Sequence, residues 1–252
     1  MRLRHAVLAL TLLASIPMHA ADVQDVLKPA RERMRASDFR VTGRLVKVDG
    51  GGKRTSEDVT LKAKWIAGSL KVLLDVRSPE AARAHILLEM RPDGRHSILI
   101  AHPGDAAPKA LPLEQWGDGP NGSSISYEDF LDAHYYWPEQ QLTGQPRYGA
   151  RECNLLRSTP GAADRTRYSE VRSWMDREIA FPVYVEKVVR RSGAVKEFTY
   201  YGLRHNGGIW SASQVEVKFH GRAGSTLLII ERGTGKANLT AEEFNAESLT
   251  HF

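Results

Sequence analysis

The 252-residue chain has a single cysteine, Cys153. One thiol cannot close an intrachain disulfide, so any fold of this sequence must be held by packing. Its setting, Glu152-Cys153-Asn154-Leu155-Leu156, reads as a strand interior, where cysteine is a small buried hydrophobe rather than a nucleophile. Long apolar runs are missing after residue 21, and no later stretch approaches the roughly 18 residues of a membrane span. An excess of one charge is also missing. The formal net charge is +5 and the basic residues are dispersed, which leaves no footprint for nucleic acid.

Catalytic signatures are absent as well. Gly50-Gly51-Gly52-Lys53-Arg54-Thr55 lacks the spacing and the strand-to-helix context of a phosphate loop and reads as a hairpin turn. There is no GxSxG elbow and no HExxH helix. The histidines at 85, 96, 102, 134, 205, 220 and 251 have no pairwise ligand spacing, so only a folded convergence of His96, His102 and Asp93 would make a metal or hydrolytic site. No enzyme activity, metal or cofactor is expected.

What is present begins with Arg2 and Arg4, an apolar run from Ala6 to Ile16, and Pro17-Met18-His19-Ala20-Ala21. This is the layout of a secretory signal peptide over residues 1–21. No cysteine lies near the boundary to accept a lipid anchor, so the expected product is a soluble exported chain, 22–252, forming one domain. Its roughly 230 residues suit a single all-β unit.

From Asp22 to Ala36, Val23, Val26, Leu27, Ala30 and Met34 line one helical face, with Pro29 expected to delay or bend the helix. From Phe39 the period changes to two. Strands are predicted over Phe39–Val48, Glu57–Ile66, Leu70–Val76, Ala84–Met90 and Ser97–Ala101. Pro103–Ser124 is rich in proline and glycine without a period and reads as a lid, rim or linker. Ser126 with Asp129 forms a capping box, and Glu128 and Asp129 are expected to be solvated at a helix start. Strands then recur over Arg151–Ser158, Arg167–Met175, Pro182–Arg190, Val195–Leu203, Trp210–Phe219 and Ser225–Glu231, with small-residue turns between them. That regularity predicts an antiparallel meander and excludes a βαβ nucleotide fold.

Several segments together resemble the outer membrane lipoprotein-sorting family, the LolA-like superfamily. Ser126-Tyr127-Glu128-Asp129-Phe130 is similar to that group's "sYeDl" element. Trp174-Met175-Asp176-Arg177-Glu178-Ile179-Ala180-Phe181-Pro182 resembles its strand-turn-strand signature. Gly207-Gly208-Ile209-Trp210 and Thr240-Ala241-Glu242-Glu243-Phe244 with Leu249 resemble its late turn and C-terminal ending. The resemblance spans Ser126 to Leu249 and marks Tyr127, Glu128, Asp129, Trp174, Asp176, Arg177, Pro182, Trp210 and Phe244 as structural positions.

The resemblance implies a mainly β chain with a few helices, whose strongly curved antiparallel sheet forms an incomplete, LolA/LolB-like half-barrel around an apolar cavity. Val59, Leu61, Trp65, Val183, Val185 and Val215 are the expected cavity lining, and Tyr135, Tyr136 and Trp137 the expected rim. The implied function is a periplasmic binding or carrier protein for a lipid or acylated lipoprotein, in outer membrane lipoprotein sorting or lipid transport. Its partners would be an inner-membrane transporter or an outer-membrane acceptor, with transient contact to a membrane surface. The alternative is a non-enzymatic interaction or accessory module of an envelope transport or stress-sensing complex.

Overall fold

The structure, a computed structural model, describes residues 22–206 and 208–252. The expected leader at 1–21 and Gly207 of the late turn lie outside the described residues. Helix α1 (Val23–Arg35) starts at the cap Asp22, whose carboxylate accepts the Gln24 N–H at 3.1 Å. Asp25 in its first turn and Arg33 and Arg35 in its last complement the helix dipole. Val26, Leu27, Ala30 and Met34 form the buried face. Of the two expected effects of Pro29, a delayed start does not occur, because the helix runs through it. Proline cannot donate to the Asp25 carbonyl, but Asp25 is exposed and water can satisfy that oxygen.

The strands are β1 (Asp38–Val48), β2 (Arg54–Ile66), β3 (Ser69–Val76), β4 (Ala84–Met90), β5 (Ser97–Ala101), β6 (Lys109–Ala110), β7 (Glu139–Gly144), β8 (Arg147–Tyr148), β9 (Arg151–Thr159), β10 (Tyr168–Asp176), β11 (Pro182–Val189), β12 (Val195–Asn206), β13 (Ile209–Phe219) and β14 (Ser225–Gly235). Two meanders, β1 to β6 and β9 to β14, join where β1 pairs antiparallel with β14. The order ends at β6 and β7, which do not pair, so the sheet is not closed into a barrel. One buried cluster nevertheless takes side chains from β1 to β5 and from β9 to β13, which requires the sheet to curl around it.

A bulge between Thr42 and Gly43 sits at the seam of the meanders. Gly43 is needed there because a Cβ would overlap the Ile229 carbonyl of β14. β3 and β4 lack clean alternation because both of their faces are covered. Leu74, Ile86 and Leu88 point into the main cluster, while Leu73 and Leu87 meet Leu239, Phe244 and Leu249 of the C-terminal segment on the outer face. Glu243 fastens that segment through Arg40 and Lys62, both at 2.7 Å.

The segment Pro103–Ser124, expected as a lid, rim or linker, continues to residue 138 as one excursion that packs on the core and is no surface linker. It carries short 3-10 turns at Leu113–Gln115, Pro120–Gly122, Tyr127–Phe130 and Ala133–Tyr136, and it buries Trp116, Ile125, Leu131, Tyr135 and Trp137 in the main cluster. The Ser124 N–H bonds Thr226 Oγ1 at 2.8 Å, and the Lys47 ammonium donates to the Asn121 carbonyl, which ties the excursion across the concave face to β14 and β1. Helix α1 lies beside it, with Arg31 donating to the Tyr135 carbonyl at 2.8 Å and Arg33 to the Ala180 carbonyl at 3.1 Å.

Candidate functional site

The concave face has two differently built regions. In the first, the register of β11 and β12 places Lys187 directly opposite Lys196, both inward and both buried. Two ammoniums side by side in an apolar interior repel each other and are poorly solvated. Asp129, from the 3-10 turn after Ser126, resolves the conflict. Its carboxylate lies 2.6 Å from Lys196 Nζ and 3.2 Å from Lys187 Nζ. Tyr168 OH donates to Asp129 at 2.6 Å, and the Ser126 hydroxyl and N–H donate to it at 2.7 and 2.8 Å. The capping box is therefore present, but its carboxylate is a buried lock rather than a solvated helix start. Burial pushes the Asp129 carboxyl upward, yet Lys196, then Lys187, then the Tyr168 hydroxyl outweigh it and hold it well below the ordinary carboxylate range.

Glu128, the neighbouring residue, is also buried, which corrects the expectation of solvation. Its Oε2 accepts the Thr166 hydroxyl and the Arg167 N–H, each at 3.0 Å. Burial first, tempered by the Arg167 N–H and reinforced by the Asp129 charge, pushes its carboxyl up to about 7. His134 is buried in the same region, and desolvation drives its imidazole well below the usual range.

The second region is apolar and incompletely covered. Phe39, Leu61, Trp65, Tyr136, Val215 and Leu228 pack against the main cluster but stay half-buried. Trp65 and Tyr136 stack with ring centroids 6.0 Å apart, and the Arg31 guanidinium lies 5.4 Å from the Tyr136 ring. Of the expected lining residues, Val59 and Val185 belong to the buried cluster, Leu61, Trp65 and Val215 pack half-exposed against it, and Val183 is buried nearby in β11. The expected rim is divided. Tyr136 stands at the edge, whereas Tyr135 and Trp137 are each 3% exposed and fill the core.

The motif positions have local tasks. Asp176 accepts the Glu178 and Ile179 N–H groups at 2.8 and 3.1 Å and pairs with Arg151 at 2.5 Å, which shapes the turn leading to the buried Pro182. Arg177 is exposed, with its N–H bonded to the Glu152 carbonyl. Trp174 meets Tyr184 edge-on at 4.9 Å, Trp210 lies 5.0 Å from His205, Tyr127 packs half-buried on the core, and Phe244 anchors the C-terminal segment. Cys153 is fully buried in β9. Asp93 pairs with Arg95 and His102 with Asp105, while His96 is buried, so these residues do not form one metal-binding group. The buried lysine pair was missed in the sequence. Lys187 follows Val183 and Val185 at the same parity, so a period of two already points it inward.

Among solved structures, the chain is similar to a domain named for outer membrane lipoprotein sorting from Vibrio parahaemolyticus, with TM-score 0.80, 18% identity, 91% of this chain and all of that chain covered. A DUF1329 family protein from Desulfovibrio piger gives TM-score 0.79 at 16% identity, covering 90% of this chain and 98% of the other. A LolA superfamily protein from Nitrosomonas europaea gives 0.70 at 16% identity with the same coverage. At these identities the likeness shows the fold. No curated protein matches the sequence significantly. The model of an uncharacterized-protein family, DUF1329-like, matches residues 71–251, from within β3 to the C-terminal segment. The chain therefore belongs to that family, and its fold is LolA-like.

Proposed function

We propose that this chain is an exported carrier that binds a lipid or an acylated lipoprotein through the half-buried apolar region of its concave face, in lipoprotein sorting or lipid transport. The observation that carries this reading is the set Phe39, Leu61, Trp65, Val215 and Leu228, which pack against the main cluster yet stay only half-buried. An acyl chain laid on such a surface gains about 0.8 kcal/mol per buried CH₂, so affinity can come from burial alone. Tyr136, apolar in body and polar at its tip, suits the edge where cargo meets water. The leader expected at residues 1–21 would deliver the chain to the periplasm. No described helix is long and apolar enough to cross a membrane. An inner-membrane transporter or an outer-membrane acceptor would exchange the cargo.

One observation favours a second reading, an interaction module. Trp116, Tyr135, Trp137 and Tyr168 plug the interior, while a groove of about 510 Å³ opens on the outer face between Leu87, Leu99 and Phe244.

Purification of the mature chain from a periplasm, followed by mass spectrometry of co-purified lipids and acylated peptides, separates the two. The carrier reading expects stoichiometric acyl cargo. Clean protein that also fails to bind a fluorescent fatty-acyl probe contradicts it.

A further inference from the structure

Beside the Asp129 lock lies a small, partly open space of about 20 Å³, lined by residues that include His96, Trp116, Glu128, Trp137 and Arg165. A water molecule needs about 10 to 15 Å³ and two to four polar partners, so the space holds one and little more. Three buried atoms on these lining residues have no hydrogen-bond partner among the described residues: His96 Nε2, Glu128 Oε1 and Trp137 Nε1. They come from three separate stretches of chain, the turn before β5, the 3-10 turn after Ser126 and the approach to β7. Their convergence is therefore a tertiary arrangement and not a local accident.

The protons on these atoms follow from their other contacts. His96 Nδ1 accepts the Arg91 N–H at 3.1 Å, so the neutral ring carries its proton on Nε2. Burial pulls this imidazole down to about 4, which keeps it neutral near pH 7. The Trp137 indole N–H can only donate. Glu128 Oε2 is already taken by Thr166 and Arg167, which leaves Oε1 as an acceptor when the carboxylate is ionised. The cavity thus presents two donors and one acceptor. A cation would face two N–H groups, and an anion would face a carboxylate. Water satisfies all three with two lone pairs and one of its own protons.

We propose that a single water molecule is built into this cavity, accepting from His96 Nε2 and Trp137 Nε1 and donating to Glu128 Oε1. It fastens the plugging excursion to the turn before β5 through three atoms that have no direct hydrogen-bond partner among the described residues. Arg165 borders the space, its guanidinium 5.0 Å from the Trp116 ring and donating to the His96 carbonyl.

Water-to-indole cross-relaxation in the NMR spectrum of the ¹⁵N-labelled mature chain at pH 8 tests this, with the Trp137 signal assigned by its loss in Trp137→Phe. The expected result is a cross peak of the sign given by a long-lived water, at the Trp137 indole. Glu128→Gln keeps the two contacts on its amide oxygen and turns a third donor on the water, so the cross peak should fall by more than half. A crystal structure of the wild-type chain should show one water within about 3.2 Å of all three atoms. A wild-type Trp137 indole without the cross peak, a cross peak undiminished in Glu128→Gln, or a dry cavity in which Trp137 pairs directly with Glu128 would each overturn the proposal.

Discussion

The Lys187 region and the Trp65 region share one curved sheet and one buried cluster, yet they are finished in opposite ways. Around Lys187 both buried ammoniums are paired with Asp129 of the 103–138 excursion, and the interior leaves only a small space of about 20 Å³. Around Trp65 the side chains are apolar and half-covered, with the Arg31 guanidinium against Tyr136 at the edge. The filled region fixes the shape of the half-barrel. The open region leaves apolar area unclaimed, and this is the surface on which a carrier would spend cargo-binding energy.

The sharpest break of this contrast is Asp129→Asn. It leaves buried Lys196 without its carboxylate partner and Lys187 with only the partly exposed Asp132 at 3.8 Å, and the expected loss is about 3 to 5 kcal/mol of stability, read by urea unfolding. Replacing both Lys187 and Lys196 by Met in the same chain should restore most of that loss, since apolar side chains of similar volume need no counter-charge.

Glu128→Gln acts through pH. The folded carboxyl sits at about 7 against an ordinary value of 4.5, so the folded chain keeps a proton that the unfolded chain releases between those values. Its contribution is fully present below pH 4.5 and is lost as pH rises to 7, amounting to about 3 kcal/mol across the window. Thermal unfolding of the variant between pH 5 and pH 8 should show a flatter profile than the wild type over this range.

Trp65→Ala addresses the open region. Affinity for a fluorescent fatty-acyl probe should fall about tenfold, or about 1.4 kcal/mol, while the pH profile of unfolding keeps its wild-type shape. The smallest effect is expected outside both regions. Glu243→Gln removes partly exposed pairs to Arg40 and Lys62 and should cost less than about 1 kcal/mol in urea unfolding, with probe binding unchanged.

Much of the sheet was legible because strands with a clear period announce themselves. Ala84–Met90 and Ser97–Ala101 fall where β4 and β5 lie, and the later meander follows its turns in order. β7 escaped because Glu139-Gln140-Gln141 is polar on an edge strand, where neither face demands hydrophobes. The β1 to β14 seam joins residues about as far apart as the chain allows, and no local pattern encodes it. How the excursion packs escaped for a related reason. Proline, glycine and the lack of a period signal an irregular backbone, but they do not say whether Trp116 or Tyr135 ends up inside. At the site, Leu61, Trp65 and Val215 were reachable from alternation, as Lys187 would have been from its place after Val185. That Asp129 meets both lysines depends on the excursion crossing the concave face, which only the fold supplies.

The central claim, that the half-covered apolar region receives the acyl chain, is tested most directly by photo-crosslinking the mature chain with a diazirine-bearing fatty-acyl probe and mapping the labelled peptides by mass spectrometry. The account predicts saturable labelling on β2 and β13, at peptides containing Leu61, Trp65 and Val215, and its loss in Leu61→Asp. Labelling confined to the outer groove at Leu87, Leu99 and Phe244, or no saturable labelling of folded protein, would contradict it.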